Sequence, residues 1–133
     1  MRVIIDANVA IAAAASRGLC EAVMELCLEQ HHIIFGEEIL QDIHEKLVKK
    51  IKVPASIAAD YIKVLRNHSE LYQPEPVDAG VCRDPDDNAV LGLVAPSSAE
   101  IIISGDQDLL VIGTYKGVKI LSPRQFWEQN QTH

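Results

Sequence analysis

Residues 3–9, close to the start of the chain, read Val-Ile-Ile-Asp-Ala-Asn-Val. The first three residues form an uninterrupted apolar run, which an acid follows directly. A run of β-branched residues without polar alternation is typical of a strand that is buried on both faces. Such strands occur in parallel sheets that helices cover on both sides. We therefore predict a buried strand of this kind, with Asp6 directly after it.

Further apolar runs alternate with segments of helical periodicity along the rest of the chain. Buried strands are predicted at 31–35, 101–103 and 118–121. Helices are predicted at 21–29, at 37–50, from after Pro54 to about His68, from Asp84 and from Ser122, with a proline-containing connection at 72–83. This alternation indicates an α/β fold, a three-layer α/β/α sandwich with a mainly parallel central sheet. We find no repeat or linker, so residues 1–133 are predicted to form one domain.

The composition excludes several classes of protein. Of the 133 residues, 48% are apolar and 23% are charged, which excludes a disordered tail, a collagen-like fibre and a disulfide-stapled miniprotein. Twelve basic side chains stand against nineteen acidic ones, for a formal charge of -7. A broad basic surface for nucleic acid is therefore not expected. If the chain handles nucleic acid, it must do so locally, with a cation supplying positive charge.

The amino terminus and the cysteines predict a cytoplasmic protein. Asp6 and Asn8 interrupt the first apolar run, so it does not have the pattern of a secretory signal. The alanine-rich run at 11–15 is far shorter than the roughly 20 residues of a membrane span. Three sparse cysteines without a Cys-x-x-Cys pair are typical of reduced thiols.

Acidic residues follow two of the predicted strands. Asp6 follows the first strand, Asp106 and Asp108 follow the strand at 101–103, and Asp87 begins a helix. Ligands of open α/β sheets bind outside the carboxyl ends of the strands. Converging carboxylates repel each other, and oxygen ligands without His or Cys favour Mg²⁺ or Mn²⁺ over Zn²⁺. The pattern favours metal-assisted phosphoryl transfer.

Four segments together resemble a known family. Residues 83–88 read Arg-Asp-Pro-Asp-Asp-Asn, residues 101–110 read Ile-Ile-Ile-Ser-Gly-Asp-Gln-Asp-Leu-Leu, and residues 119–126 read Lys-Ile-Leu-Ser-Pro-Arg-Gln-Phe. With residues 3–9, they resemble the PIN-domain ribonucleases, in the branch whose members are toxins of toxin–antitoxin pairs. The resemblance covers nearly the whole chain, in the right order.

The resemblance implies a compact α/β/α fold, one or two Mg²⁺ or Mn²⁺ ions, and hydrolysis of RNA to 5′-phosphate products. It also implies a homodimer and a possible cognate antitoxin. Carried over by position, Asp6, Asp87 and Asp106 are metal-binding acids. Asn8 is expected to form a hydrogen bond near the metal, and Ser104 stands where Thr is common in the family.

The family's remaining acid is usually a Glu on the helix after the second strand. Counted from Gly36, that position falls on Asp42, whose side chain is one methylene shorter. Glu38 and Glu45 lie one turn to either side and are alternatives. All three share a helical face opposite the apolar stripe, so an ordinary solvated surface also explains them.

Some acids have a structural explanation as well. Asp84 precedes Pro85 and fits a helix N-cap, and Asp86 then lies in a first turn where acids suit the helix dipole. Asp108 fits either a turn after the strand or the site itself.

The chain has one basic cluster, consisting of Lys46, Lys49, Lys50 and Lys52. Lysines in a last turn stabilise the negative end of the helix dipole, which is one explanation. Contact with phosphates of nucleic acid is the other.

These observations predict a metal-dependent endoribonuclease in which Asp6, Asp42, Asp87 and Asp106 are the catalytic residues and hold the metal. One alternative is a catalytically inactive PIN-like module that binds protein or RNA. A second is a phosphatase of the haloacid-dehalogenase type, which also places an Asp after its first strand. That family uses Asp-x-Asp, whereas the second position here is Asn8.

Overall fold

The computed structural model describes residues 1–78, 80–82 and 84–131. Arg83, the first residue of the acidic segment quoted above, lies outside them. The strands are β1 (Arg2–Ile5), β2 (His32–Phe35), β3 (Ser69–Leu71), β4 (Ile101–Ile103), β5 (Thr114–Tyr115) and β6 (Val118–Leu121). The helices are α1 (Ala7–Ala15), α2 (Leu19–Gln30), α3 (Glu37–Lys49), α4 (Ala55–Asn67), α5 (Pro85–Leu91), α6 (Val94–Ser97), α7 (Gln107–Ile112) and α8 (Pro123–Gln131).

The strands form one sheet in the order β3-β2-β1-β4-β6-β5. All neighbours are parallel except β5 and β6, which form an antiparallel hairpin. The chain leaves β1 toward β2 on one side and later returns to β4 on the other. The strand order therefore reverses between β1 and β4, where ligands of open α/β sheets bind. The predicted α/β fold with a mainly parallel sheet is confirmed.

Helices cover both faces of the central strands. Val3, Ile4 and Ile5 are each fully buried, as are successive residues of β2 and β4. Because neighbouring side chains on a strand point to opposite faces, both faces must be covered. The strand order leads to the same conclusion. The chain adds β2 and β3 toward one edge of the sheet and β4 and β6 toward the other, so right-handed crossovers place the connecting helices on opposite faces. The layered α/β/α arrangement follows.

Several elements differ from the sequence-based expectations. Helix α1 was not predicted, because its alanine-rich sequence has no clear polar face, although alanine strongly favours helix. Strands β3 and β5 were not predicted either, since each is a short edge strand with little apolar pattern. The helix predicted from Asp84 is divided into α5 and α6. Among the described residues, no helix has the length and apolar character needed to cross a membrane.

The position of α5 depends on a close backbone contact at its carboxyl end. The N–H of Glu75 donates to the carbonyl oxygen of Gly92 at 2.8 Å. A Cβ atom at Gly92 would lie 2.4 Å from the Glu75 carbonyl oxygen, so a larger residue would push the two segments apart. The connection after β3 therefore packs directly on the end of α5, and this contact fixes the helix that carries Asp87.

Candidate metal centre

The carboxyl ends of β1 and β4 place Asp6 beside Ser104. The N–H of Asp6 donates to the Ile103 carbonyl oxygen at 2.9 Å, and this bond extends the parallel ladder by one residue. The Ser104 hydroxyl donates to Asp6 Oδ2 at 2.6 Å, and both side chains are buried. Burial is the main cause that raises the pKa of Asp6, and the bond from Ser104 partly opposes it. Asp6 is thus a buried acid with a fixed orientation.

Ser104 also links Asp6 to Asp106. The backbone N–H of Asp106 donates to Ser104 Oγ at 3.0 Å. Asp106 is the N-cap of α7, and its Oδ1 accepts the N–H of Asp108 at 2.8 Å. The cap and the serine contact hold the Asp106 carboxyl group near Asp6. Asp108 itself lies in the first turn of α7 and is half-buried.

Asp87 reaches the same place from the first turn of α5, where it is buried. The predicted N-cap is confirmed, since Asp84 accepts the N–H of Asp86 at 2.9 Å. The thiol of Cys82 donates to Asp87 Oδ2 at 3.2 Å. Burial, with added repulsion from Asp106 and Asp6, raises the pKa of Asp87 to about 7. Nothing in the sequence pattern indicated Cys82, because it lies in an irregular connection.

The three acids converge into one group, which we call the acidic triad. Asp6, Asp87 and Asp106 each offer a carboxylate oxygen, and these oxygens all lie within 4.8 Å of one another. Burial first, and then mutual repulsion, raise the pKa values of Asp6 and Asp87, so ionising all three acids together is unfavourable here. A divalent cation would relieve the repulsion, and the oxygen-only donor set fits Mg²⁺ or Mn²⁺. The residues therefore fit such an ion.

The triad lies in a cleft of about 110 Å³, here called the acidic cleft. Its acidic lining residues are Asp6, Glu38, Asp42, Asp84, Asp86, Asp87 and Asp106. Among its described lining residues, Lys46 is the one basic side chain. Asp84 and Asp86 also line the cleft, in addition to the capping and first-turn positions that the sequence predicts for them. Lys46 lies four residues after Asp42 on the same helix, and this spacing in the sequence is typical of an ion pair between the two side chains.

The remaining candidates occupy different positions around the acidic cleft. Asp42 lines it but lies outside the acidic triad, and its Oδ2 accepts from Lys46 Nζ at 3.0 Å. Glu38 lines the cleft as an exposed side chain, whereas Glu45 is outside the described lining and pairs with Lys49 at 3.2 Å. Asn8 lines the cleft, and its Oδ1 accepts the N–H of Gly105 at 3.4 Å.

Comparisons with known proteins agree with this geometry. A family model described as the PIN domain matches residues 2–108. The solved structure of VapBC2 from Rickettsia felis, bound to a DNA fragment from their promoter, is similar with a TM-score of 0.62 and 10% identity, over 92% of this chain and 98% of that one. PAE2754 from Pyrobaculum aerophilum is similar with a TM-score of 0.64 and 17% identity, over 100% of this chain and 91% of that one. No curated protein sequence matches the chain.

Proposed function

The chain belongs to the PIN-domain family, and from this we propose that it is a metal-dependent endoribonuclease. The observation that carries the proposal is the acidic triad, whose carboxylate oxygens lie within 4.8 Å of one another where the strand order reverses. In the proposed reaction, water adds to a phosphorus atom of RNA and the bond to the 3′ oxygen breaks. The products are a 5′-phosphate and a 3′-hydroxyl, with the water's proton transferred to the leaving oxygen.

Asp6, Asp87 and Asp106 are the proposed ligands for one or two Mg²⁺ or Mn²⁺ ions. When bound, such an ion lowers the pKa of its water and neutralises charge on the phosphate. The protein's part is to hold three acids in place. Ser104 contacts both Asp6 and Asp106, and Cys82 contacts Asp87. Loss of a group of this kind, which orients a metal ligand without touching the metal, typically lowers metal affinity or activity about 10–100-fold.

Asp42 is the proposed fourth acid, acting at the wall of the acidic cleft, where it orients water rather than joining the triad. Its place outside the triad supports this more distant role. Asn8 has a similar supporting role beside Gly105. Glu38 and Glu45 are the alternatives for the fourth acid: Glu38 also lines the cleft, whereas Glu45 lies outside its described lining.

The proposed biological setting is the toxin half of a toxin–antitoxin pair in the cytoplasm. The likeness to VapBC2 supports an antitoxin partner, although at 10% identity the two share only the fold. A homodimer is proposed with it, from the family resemblance. The open reading frame beside the gene is the observation that tests the pairing most simply.

Activity on two substrates tests the proposed reaction against its rivals. We expect cleavage of a generic single-stranded RNA in the presence of Mn²⁺, no cleavage with excess chelator, and no release of phosphate from a chromogenic monoester. Release from the monoester would favour a phosphatase of the haloacid-dehalogenase type. Activity on neither substrate would favour the non-catalytic binding module.

A further inference from the structure

Lys46 is the one basic side chain among the described lining residues of the acidic cleft. It lies on α3, and its Nζ donates to Asp42 Oδ2 at 3.0 Å. This bond is the main cause that raises the pKa of Lys46, and the charges of Asp86 and Asp6 raise it further. Lys46 therefore remains cationic and is attracted toward the acids across the cleft.

The rest of the basic cluster lies elsewhere. Lys49 forms the same type of pair one turn later, with Glu45 at 3.2 Å, but that pair is outside the described lining of the cleft. The Lys49 side chain is 72% exposed, whereas that of Lys46 is 34% exposed. Lys50 and Lys52 are exposed as well. The cluster that looks uniform in the sequence contains one member that faces the proposed site.

Helix stabilisation does not account for this difference. A pair between residues four apart stabilises a helix only slightly, and both Lys46 and Lys49 form one. Both also lie in the last turn, where either one suits the helix dipole. Partial burial of the Lys46 ammonium adds a desolvation cost that neither explanation requires.

A phosphate group in the acidic cleft would need this cation. Seven carboxylates line the cleft, and they repel a phosphodiester chain. A metal at the acidic triad attracts the phosphate that it contacts, but successive nucleotides bring further phosphates past the remaining acids. Lysine binds phosphate as a compact point charge. The ammonium of Lys46 would thus offer a positive charge, in the wall of the acidic cleft, to the phosphate next to the one at the metal.

We propose that Lys46 binds a phosphate of the RNA next to the one that is cleaved, while Asp42 holds its ammonium group at the cleft. This inference rests on the proposed function and adds a substrate-positioning contact to it. It assigns a role to one lysine of the cluster and none to the other three.

Equilibrium binding of a short single-stranded RNA tests the inference. We would measure affinity against salt concentration with Ca²⁺ in place of Mn²⁺, and check the RNA for cleavage on a gel. Lys46→Gln should weaken binding and reduce the slope of log affinity against log salt by about 0.7, the value for one phosphate contact on a single strand. Lys46→Arg should keep the slope. Lys49→Gln is the matched control and should behave like the wild type.

The outcomes separate this inference from the proposed function. An unchanged slope in Lys46→Gln, or equal losses in Lys46→Gln and Lys49→Gln, would overturn it even if the wild type cleaves RNA. Stronger Mn²⁺ binding in Lys46→Gln with an unchanged slope would overturn it too, because Lys46 would then only substitute for the metal. A wild type that binds RNA without cleaving it would contradict the ribonuclease while a reduced slope supports Lys46. A wild type that does not bind RNA would contradict both.

Discussion

Asp6→Asn should abolish Mn²⁺-dependent cleavage of RNA, with a loss of at least about 100-fold in initial rate. Asn keeps the shape of the side chain and its contact with Ser104, but it removes the negative charge that the proposed metal requires. Loss of a direct ligand should cost more than loss of a supporting group, for which about 10–100-fold is typical. Asp87→Asn and Asp106→Asn should lower the rate similarly, since their oxygens complete the acidic triad.

Glu45→Gln is the matched control for these variants. It makes the same change of charge, but Glu45 lies outside the described lining of the acidic cleft. We expect its rate to stay within about twofold of the wild type, because it loses only an exposed ion pair. Wild-type rates in a folded Asp6→Asn protein would remove Asp6 from the site.

Adding Mn²⁺ should raise the melting temperature of the wild-type protein. A ligand that binds only the folded state at one hundred times its Kd stabilises it by about 2.7 kcal/mol. The three carboxylates repel one another without a cation, so binding of Mn²⁺ also reduces the electrostatic repulsion within the acidic triad. Thermal unfolding with and without Mn²⁺ measures the increment, which Asp87→Asn should largely lose. An undiminished increment in that variant would exclude Asp87 as a ligand.

In the metal-free protein, the burial of Asp87 and its repulsion by the other two acids should make the melting temperature depend on pH. The pKa of Asp87 rises from 3.8 to about 7 in the folded state, so the folded protein binds a proton that the unfolded chain has lost. The contribution of Asp87 to the melting temperature, measured as the difference between wild type and Asp87→Asn, should therefore fall as pH rises from about 4 to about 7 and then level off. Asp87→Asn should melt higher than the wild type at neutral pH. A difference between wild type and Asp87→Asn that stays constant over this range would contradict the raised pKa of Asp87.

The central fold could be predicted because its strands are buried on both faces. The runs at β1 and β4 have no polar alternation, and this pattern is typical of covered parallel strands. Asp6 was predictable for the same reason, because an acid directly after such a strand lies at the carboxyl edge of the sheet. Strands β3 and β5 are the two edge strands of the sheet, and neither has a clear apolar pattern.

The details of the site depend on contacts that the sequence does not encode locally. Cys82 contacts Asp87 through an irregular connection, so no periodicity could have indicated it. The position of Asp42 on α3 was predicted from its offset, but its distance from the acidic triad depends on how α3 packs beside α5. Likewise, the sequence shows four clustered lysines, and only the fold distinguishes Lys46 from the others.

Anomalous scattering from crystals grown with Mn²⁺ tests the metal centre most directly. We predict one or two anomalous peaks in contact with carboxylate oxygens of Asp6, Asp87 and Asp106, and a loss of the peak in Asp6→Asn crystals. The acidic triad would be excluded as the metal centre if the ordered Mn²⁺ ions lay elsewhere, or if no peak formed between the three carboxylates at saturating metal.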